Sequence, residues 1–491
     1  MPLRLSNTLS GEVEEFRPLQ ANTVRMYSCG PTVYDYQHIG NFRTFIFVDL
    51  LRRVLLQSGY QLQHVMNITD VDDKIIRNAA AQGLSLADYA SGFEKVFLED
   101  MKTLNLQPPE EIAKATDYIS EMAQFIATLA RKDLAYKTED GSYYFRIARF
   151  PGYGKLSKKD FAGMEDGARV DLDEYEKDSA RDFALWKSPK PGEASWQTEI
   201  GQGRPGWHIE CSVMAREILG DSFDIHLGGE DLIFPHHENE IAQTESLTGK
   251  PMAQFWIHCR FLLVEGQKMS KSVGNFYTLR DLLLKGHKAS SIRYLLASVP
   301  YTRQLNFTFD GLKQAAQSVE RLRNFKARLK SGVFAASSNR NFAEVAEQAK
   351  SKMRAALEDD MNTAQALAAI FDLVREVNSA ADAGQLASQD VSALLSALDD
   401  FDVIFDVLDD GDAEKSRAAF EWAKSAGKLE PEQAVALEHR LSDAQIEVLV
   451  AERNGAKRAR DFAKSDSIRK QLADAGILVE DTKDGVRWKR K

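Results

Sequence analysis

The sequence predicts an α/β protein. We expect a Rossmann-like parallel-sheet domain with a connective insertion, followed by an α-helical bundle and a small C-terminal module. Residues 24–68 read as strand, helix and strand, the unit from which parallel sheets are built. Residues 132–203 change to short strand-like pieces among Gly, Pro and charged residues, as an insertion would. Beyond Asp310 the apolar residues follow a helical spacing.

Composition limits the class of protein. The chain has 491 residues, enough for two or more domains, and its hydrophobic content of 44% is ordinary for a globular protein. It has no run of 18 apolar residues, so we expect no membrane partner. Its three cysteines are too scattered for a disulfide framework, which favours a cytoplasmic location. The net charge is -10, but residues 451–491 hold twelve Lys/Arg against seven Asp/Glu, so any RNA contact must be local.

The first βαβ unit is predicted from two strand-like segments and from the glycine that ends the helix between them. Val24–Ser28 and Leu62–Ile68 are predicted strands, and the helix between them ends at Gly59. His38 lies where a helix N-terminus offers amide donors to a phosphate. The alternative is that His38 only caps its helix.

The middle of the chain gives four further expectations. Ala79–Arg131 is predicted to be helical, with one break. Ser222–Leu227 is a predicted strand, and the segment from Gly228 to Asp231 is a predicted turn. A helix is expected through HHENEIAQTESLTG, with Pro235 in its first turn. Ala253–Leu263 is predicted to be one strand.

Two lysines, Lys268 and Lys271, lie in the segment VEGQKMSKSVGNF. A flexible loop that presents two ammonium groups beside hydroxyls suits a polyphosphate in a charged transition state. Such a string alone is usually a solvated surface loop. A second motif, His38-Ile39-Gly40-Asn41, stands far upstream, after the first predicted strand.

The segment PHHENE offers candidate metal ligands. His236 and Glu240 are spaced i, i+4, and His237 and Glu240 are spaced i, i+3. Both pairs are ligands that zinc accepts beside thiolates, and spacing does not choose between them. Cys29 and Cys211 are candidate thiolates, although cysteine is commonly buried as a small hydrophobe.

The HIGH-like and KMSKS-like strings, in this order, resemble class I aminoacyl-tRNA synthetases. The residues around them are similar to the cysteinyl-tRNA synthetase family over nearly the full length. Asn41 departs from the fourth HIGH histidine: it still donates a hydrogen bond but carries no charge. The resemblance implies activation of L-cysteine with ATP and Mg²⁺ to cysteinyl-adenylate and pyrophosphate, then transfer to the 3′-terminal adenosine of tRNA(Cys).

The resemblance also assigns roles to residues. The catalytic residues it implies are His38, Asn41, Lys268 and Lys271. The ATP-binding residues are His38, Gly40, Gly228, Gly229, Asp231 and Lys271. The substrate-binding residues are Thr69, Trp207 and His226. The purely structural alternatives are that the paired glycines only form a turn and that Trp207 is a buried core residue.

One zinc ion per chain is implied, held by Cys29, Cys211, His236 and Glu240, where it binds the substrate thiolate. Cysteine and serine differ by sulfur for oxygen, which shape alone rejects poorly, whereas zinc prefers the thiolate. Cys259 is expected to be an inert core residue.

The resemblance divides the chain into segments. We expect a catalytic domain at 1–255 with the insertion at 132–203, a KMSKS-loop and stem-contact region at 256–310, a helical bundle at 311–408, and an anticodon-binding module at 409–491. The partners expected are tRNA(Cys), L-cysteine and ATP, and the chain is expected to be a monomer. Basic residues on a predicted helix at Glu452–Lys470, with Trp488 among the closing cations, suit RNA; a solvated helix and an unstructured tail would look similar.

Two rival interpretations stand beside this one. The mycothiol-pathway cysteine ligase keeps the adenylation site but is shorter and lacks the terminal module. A non-catalytic zinc- or RNA-binding relative would have lost a KMSKS lysine or a metal ligand, and all of these are present here.

Overall fold

The computed structural model describes residues 2–159, 182–190, 192–336, 340–429, 443–482 and 485–490. Part of the predicted insertion, residues 160–181, therefore lies outside the described residues. The chain forms two compact units, Met1–Ala413 and Glu414–Lys491. Within the described ranges, the helices are all too short or too polar to cross a membrane.

The elements follow the chain in this order. The strands are β1 (Arg4–Asn7), β2 (Glu12–Glu15), β3 (Thr23–Ser28), β4 (Gln61–Ile68), β5 (Glu111–Lys114), β6 (Ala135–Lys137), β7 (Tyr143–Phe145), β8 (Phe183–Lys187), β9 (Trp196–Thr198), β10 (Gly201–Pro205), β11 (Phe223–Gly229), β12 (Ala253–Cys259), β13 (Leu262–Val264), β14 (Gln267–Lys268), β15 (Leu305–Phe307), β16 (Ile477–Thr482) and β17 (Gly485–Arg490). The helices are α1 (Ile39–Gln57), α2 (Asp73–Gln82), α3 (Leu86–Thr103), α4 (Ile119–Arg131), α5 (Trp207–Leu219), α6 (Glu238–Thr248), α7 (Leu279–Leu284), α8 (Ala289–Ala297), α9 (Phe309–Ser331), α10 (Phe342–Glu358), α11 (Thr363–Asp382), α12 (Val391–Phe405), α13 (Asp412–Ser425), α14 (Asp443–Arg458) and α15 (Phe462–Asp474).

A five-stranded parallel sheet, ordered β12-β11-β3-β4-β5, forms the centre of the first unit. The predicted βαβ unit is confirmed as β3, α1 and β4, and Gly59 follows the helix with a φ of 89° that favours glycine. The prediction of helix across Glu111–Lys114 is wrong, because this segment pairs with β4 as the edge strand β5. Strand pairing overrides local helical pattern here.

Two segments near the centre of the sheet also differ from the sequence prediction. Gly228 and Gly229 are the last residues of β11 rather than a turn, because both pair in register with β12. The regular helix α6 begins at Glu238, and the preceding segment Ile233–His237 forms a separate turn that contains Pro235. The predicted strand Ala253–Leu263 is interrupted and becomes β12 and β13.

The connective insertion contains a second sheet, with five strands ordered β6-β7-β8-β10-β9 and antiparallel pairing throughout. A three-stranded sheet, β14-β13-β15, follows the parallel sheet and carries the lysine-rich segment. In sequence, the first of these smaller sheets lies between β5 and β11, and the second follows β12.

The helices α9 to α12 form the bundle, and its predicted apolar stripe is buried at Ala366, Ile370, Leu373 and Val377. Arg293 of α8 links the bundle to helix α1. Its guanidinium donates to Asp49 of α1 at 2.5 Å and to the carbonyl of Phe405 in α12 at 2.6 Å. Arg293 is 1% exposed, so this ion pair is fully inside the first unit.

The second unit packs α14 and α15 on the antiparallel hairpin β16-β17. Its small core contains Ile446, Ile468, Leu472 and Ile477. The predicted single helix at Glu452–Lys470 is wrong, because the chain turns between α14 and α15, where Arg460 has a φ of 62°. The alternative of an unstructured tail is wrong for residues 485–490, which form strand β17, and the side chains of the closing cations lie outside the described residues.

Candidate active site

A cleft of about 440 Å³ opens where β3, β11 and β12 end. Parallel sheets bind ligands at this edge, since loops from neighbouring strands diverge there. The sequence-predicted residues that line the cleft are Cys29, His38, Gly40, Asn41, Trp207, Gly229, Asp231 and Lys268. The sequence-predicted residues outside its lining are Thr69, Cys211, His226, Gly228, His236, Glu240 and Lys271.

His38 and Asn41 form a reciprocal cap at the start of α1. The Asn41 backbone N–H donates to Nδ1 of His38 at 3.1 Å, and Oδ1 of Asn41 accepts from the His38 N–H at 3.2 Å. Since Nδ1 is an acceptor, the proton of the neutral ring sits on Nε2. Burial lowers the pKa of His38 to about 4, so the ring is neutral at pH 7. His38 thus caps its helix and also presents an N–H donor at the cleft.

The lysine-rich segment closes against this cap. The N–H of Ile39 donates to the carbonyl of Tyr277 at 3.0 Å, and the Phe276 ring meets the His38 ring edge-on at 5.1 Å. Gly40 is required at this approach, because a Cβ there would lie 2.9 Å from Nδ1 of His38 and 3.1 Å from Cε of Met269. The two motifs therefore form one continuous wall of the cleft.

The two lysines occupy different places. Lys268 lies in β14, lines the cleft, and has its Nζ 6.0 Å from the centroid of the Phe261 ring. Lys271 lies beyond the strand, and its ammonium contacts the carboxylate of Asp35. Asp35 raises the pKa of Lys271 above its ordinary value.

Four buried side chains, one of them Cys29, converge beyond the end of β3. The thiols of Cys29 and Cys211, a ring nitrogen of His236 and a carboxylate oxygen of Glu240 all lie within 4.8 Å of one another. They come from the end of β3, helix α5, the turn before α6, and the first turn of α6. Nε2 of His236 is 2.9 Å from Oε1 of Glu240, whereas His237 is 3.9 Å from the same oxygen.

This cluster is strongly polarised. Burial opposes a charged imidazole, yet Glu240 and Cys211 raise the pKa of His236 to about 10. Burial also opposes the Glu240 carboxylate, yet His226 and His236 lower its pKa to about 2. Burial raises the pKa of the Cys29 thiol well above its ordinary value. The carboxylate and imidazole thus stabilise charge on each other without any contact with water.

A second group shares two of these residues. Cys29, His226, His237 and Glu240 also bring ligand atoms within 4.8 Å of one another. Hydrogen bonds extend from this group to β12 and to the residue that follows β1: Nδ1 of His237 lies 2.7 Å from Nε2 of His258, and Nδ1 of His258 lies 2.8 Å from Oγ1 of Thr8. Neither residue belongs to a motif in the sequence, since His258 is a single histidine in the largely apolar segment AQFWIHC and Thr8 lies in the ordinary polar segment SNTLS.

Three predicted substrate residues differ in accessibility. Trp207 is 39% exposed and stacks on His236 with ring centroids 4.1 Å apart, so the core interpretation of this residue is wrong. His226 is fully buried, and its Nε2 lies 2.7 Å from Glu240. Thr69 is buried and donates to Oε2 of Glu210 at 2.8 Å. Trp207 therefore faces the cleft, and the other two lie behind its wall.

Gly228 and Gly229 each leave room for a different side chain. A Cβ at Gly228 would lie 2.8 Å from Cε1 of His237, so this glycine makes room for the histidine layer. A Cβ at Gly229 would lie 2.4 Å from Oδ1 of Asp231, so this one lets the carboxylate fold back toward the strand end. Burial raises the pKa of Asp231.

Three family profiles match the chain. The class I (C) tRNA synthetase catalytic domain matches residues 15–317, the DALR domain matches residues 352–409, and the cysteinyl-tRNA ligase anticodon binding domain matches residues 440–488.

Relatives are similar from end to end. The chain is 64% identical to "Cysteine--tRNA ligase" of Koribacter versatilis, with all of both chains covered. It is 58% identical to the protein of the same name from Solibacter usitatus, again over all of both chains. The identity to that of Leptospira interrogans serovar Lai is 45%, over 100% of this chain and 99% of the relative.

Solved structures share the fold at low identity. Methionyl-tRNA synthetase of Mycobacterium tuberculosis, in complex with methionyl-adenylate, has a TM-score of 0.56 at 15% identity and covers 83% of this chain and 93% of its own. LeuRS of Agrobacterium radiobacter, in a ternary complex, has a TM-score of 0.58 at 12% identity and covers 83% and 86%.

Proposed function

The chain belongs to the cysteinyl-tRNA synthetase family and joins L-cysteine to tRNA(Cys) with the use of ATP, and from this premise we propose how its residues divide the work. The observation that carries the assignment is the convergence of Cys29, Cys211, His236 and Glu240 beside a cleft walled by both lysine and histidine motifs. The match of residues 440–488 to an anticodon binding domain favours tRNA over an amino sugar as the acceptor.

We assign a zinc ion to Cys29, Cys211, His236 and Glu240. Two thiolates, an imidazole and a carboxylate are a donor set that zinc accepts. The overlapping group with His226 and His237 has only one thiolate. It lies behind the cleft wall, where His226 stacks on the core residue Trp256. When bound, zinc supplies a soft Lewis acid that prefers sulfur to oxygen, which favours cysteine over serine. Trp207 stands between His236 and the cleft and forms the wall beside the amino-acid side chain.

The adenylation step needs no side-chain nucleophile, because the substrate carboxylate attacks the α-phosphate of ATP. The protein positions the reactants and stabilises charge that develops on the phosphates. His38 donates Nε2–H to a phosphate oxygen, and Asn41 holds the ring through the reciprocal cap. Lys268 and Lys271 neutralise the departing pyrophosphate. Gly229 gives the nucleotide access to the strand end, where Asp231 accepts from a ribose hydroxyl.

We assign the second unit to binding of the tRNA anticodon. We also propose that the chain is a monomer and that it is located in the cytoplasm. Exposed cations on α15, among them Lys464, Arg469 and Lys470, provide phosphate contacts on this unit. Sedimentation of the purified chain tests the monomer, and cell fractionation tests the location.

Charging of tRNA tests the function directly. Zinc-loaded protein is incubated with ATP, bulk tRNA and labelled cysteine, with labelled serine as the control. Charging with cysteine and not with serine supports both the reaction and the thiol-selective site. A folded, zinc-replete sample that charges neither amino acid on compatible tRNA contradicts the proposal.

A further inference from the structure

Lys271 is held away from the cleft by an acid that lines it. The Lys271 ammonium contacts the carboxylate of Asp35, and Asp35 is part of the cleft wall while Lys271 is not. The carboxylate of Asp35 has a second contact, because its Oδ1 accepts from the N–H of the adjacent residue Tyr36 at 2.8 Å. The lysine expected to meet the phosphates is therefore bound at the rim of the cleft to a carboxylate of the cleft wall.

The rest of the loop fits this docked arrangement. The N–H of Ser270 donates to Oδ1 of Asn275 at 2.8 Å, and the N–H of Gly274 donates to the Lys271 carbonyl at 3.2 Å. The Lys271 ammonium also lies 5.1 Å from the centroid of the Phe276 ring, which itself packs on His38. One ion pair thus connects the loop to the segment that precedes His38.

We propose that the Asp35–Lys271 contact is a latch. Asp35 is a positioning residue that holds Lys271 at the rim of the cleft in the empty enzyme and releases it to the phosphates of ATP. This inference rests on the proposed function.

The exposure of the latch suits exchange. The two side chains are 64% and 32% exposed, and ion pairs of this kind contribute little to stability because water and salt compete with them. The Arg280–Asp100 pair, at 6% and 3% exposed, is a contrast: breaking it would leave a charge buried in the core. A triphosphate carries more negative charge than one carboxylate, so the lysine gains by transfer.

Exchange has a kinetic consequence. ATP must break the latch before Lys271 can bind phosphate, so the latch weakens apparent ATP binding in the native enzyme. Removal of the Asp35 charge should lower the KM for ATP, by about two- to fivefold for an exposed pair. The effect should require Lys271, because Asp35 acts through it.

The test is cysteine-dependent exchange of pyrophosphate into ATP, measured on the full zinc-loaded chain. Asp35→Asn is compared with Asp310→Asn, which removes the same charge from an exposed position in the first turn of α9. We expect a two- to fivefold lower KM for ATP in Asp35→Asn and a KM like that of the wild type in Asp310→Asn. In a Lys271→Ala background, Asp35→Asn should cause no further change.

Other results overturn the latch. A higher KM or a fivefold lower kcat in Asp35→Asn would mean that Asp35 holds Lys271 in its working position. An equal drop in KM without Lys271 would mean that Asp35 only repels the phosphates. An unchanged KM in Asp35→Asn, with normal wild-type exchange, overturns the latch alone, whereas absence of wild-type exchange overturns the proposed function.

A second measurement needs no activity. Trypsin cleavage after Lys271, followed by mass spectrometry without ATP, should be faster in Asp35→Asn than in Asp310→Asn, because the lysine is released from its partner. Equal cleavage rates would count against the latch even in a catalytically silent preparation.

Discussion

Replacement of Cys211 by serine tests the metal assignment most directly. Cys211 is 1% exposed, and its sulfur is one of four ligand atoms that lie within 4.8 Å of one another. Serine keeps the position and nearly the volume, but its hydroxyl retains its proton at neutral pH and is a poor zinc ligand. Loss of a partner that merely orients a ligand already weakens metal binding by about 10–100-fold. We therefore expect loss of a direct ligand to weaken zinc binding at least ~100-fold, which is about 2.7 kcal/mol.

The assay is competition for zinc with a chelator of known affinity, followed by metal analysis of the dialysed protein. The matched control is Cys259→Ala, since Cys259 is also buried but belongs to neither ligand group. The control should retain one zinc per chain, and only Cys211→Ser should lose preference for cysteine over serine in charging. Wild-type zinc affinity in Cys211→Ser, or equal loss in both variants, would refute the assignment.

Three further predictions address the phosphates, the tRNA and stability. Lys271→Ala should slow cysteine-dependent pyrophosphate exchange at least ~10-fold, about 1.4 kcal/mol, because a charge that meets the pyrophosphate is gone; an unchanged exchange rate would contradict this role. The double replacement Arg469→Glu and Lys470→Glu should raise the KM for tRNA(Cys) several-fold, since both side chains are exposed on the second unit. Pyrophosphate exchange should stay at its wild-type rate, and a loss of that exchange would point to misfolding. Asp412→Asn should lower the thermal midpoint more at pH 7 than at pH 3. Burial opposes the Asp412 carboxylate, but Ser290 and Arg323 lower its pKa below 3.8, so its stabilisation is present above pH 3.8 and is lost as the pH falls through the folded-state pKa. An equal loss at both pH values would contradict this prediction.

The sequence predicted the segments whose signal is local. The βαβ unit of β3, α1 and β4 was predicted because strand alternation, helical spacing and Gly59 all lie within a few residues of one another. The strand β5 was missed, since only its pairing with β4 makes Glu111–Lys114 extended. Paired glycines indicate a turn by local chemistry alone, whereas Gly228 and Gly229 are extended because both pair with β12, which lies more than 20 residues later in sequence.

The same distinction applies to the site. The family resemblance identifies the four candidate ligands, but the hydrogen bonds from His237 to His258 and from His258 to Thr8 are not predictable from it. His258 lies in β12 and Thr8 follows β1, so only the fold brings them together. The accessibility of Trp207 could not be predicted either. An aromatic at the first position of a helix is equally compatible with a core and with a cleft wall, and only stacking on His236 distinguishes the two.

The two lysines show most clearly what spacing leaves undetermined. Lys268 is paired in register with Leu263, so the backbone of a small sheet fixes its place in the cleft wall. Lys271, three positions later, has left that sheet, and its place depends on an exposed contact with Asp35. A strand position is costly to change, whereas an exposed ion pair exchanges readily. If the latch is correct, two identical side chains in one motif have different tasks: Lys268 gives the cleft a permanent positive charge, and Lys271 adds a second one when ATP binds.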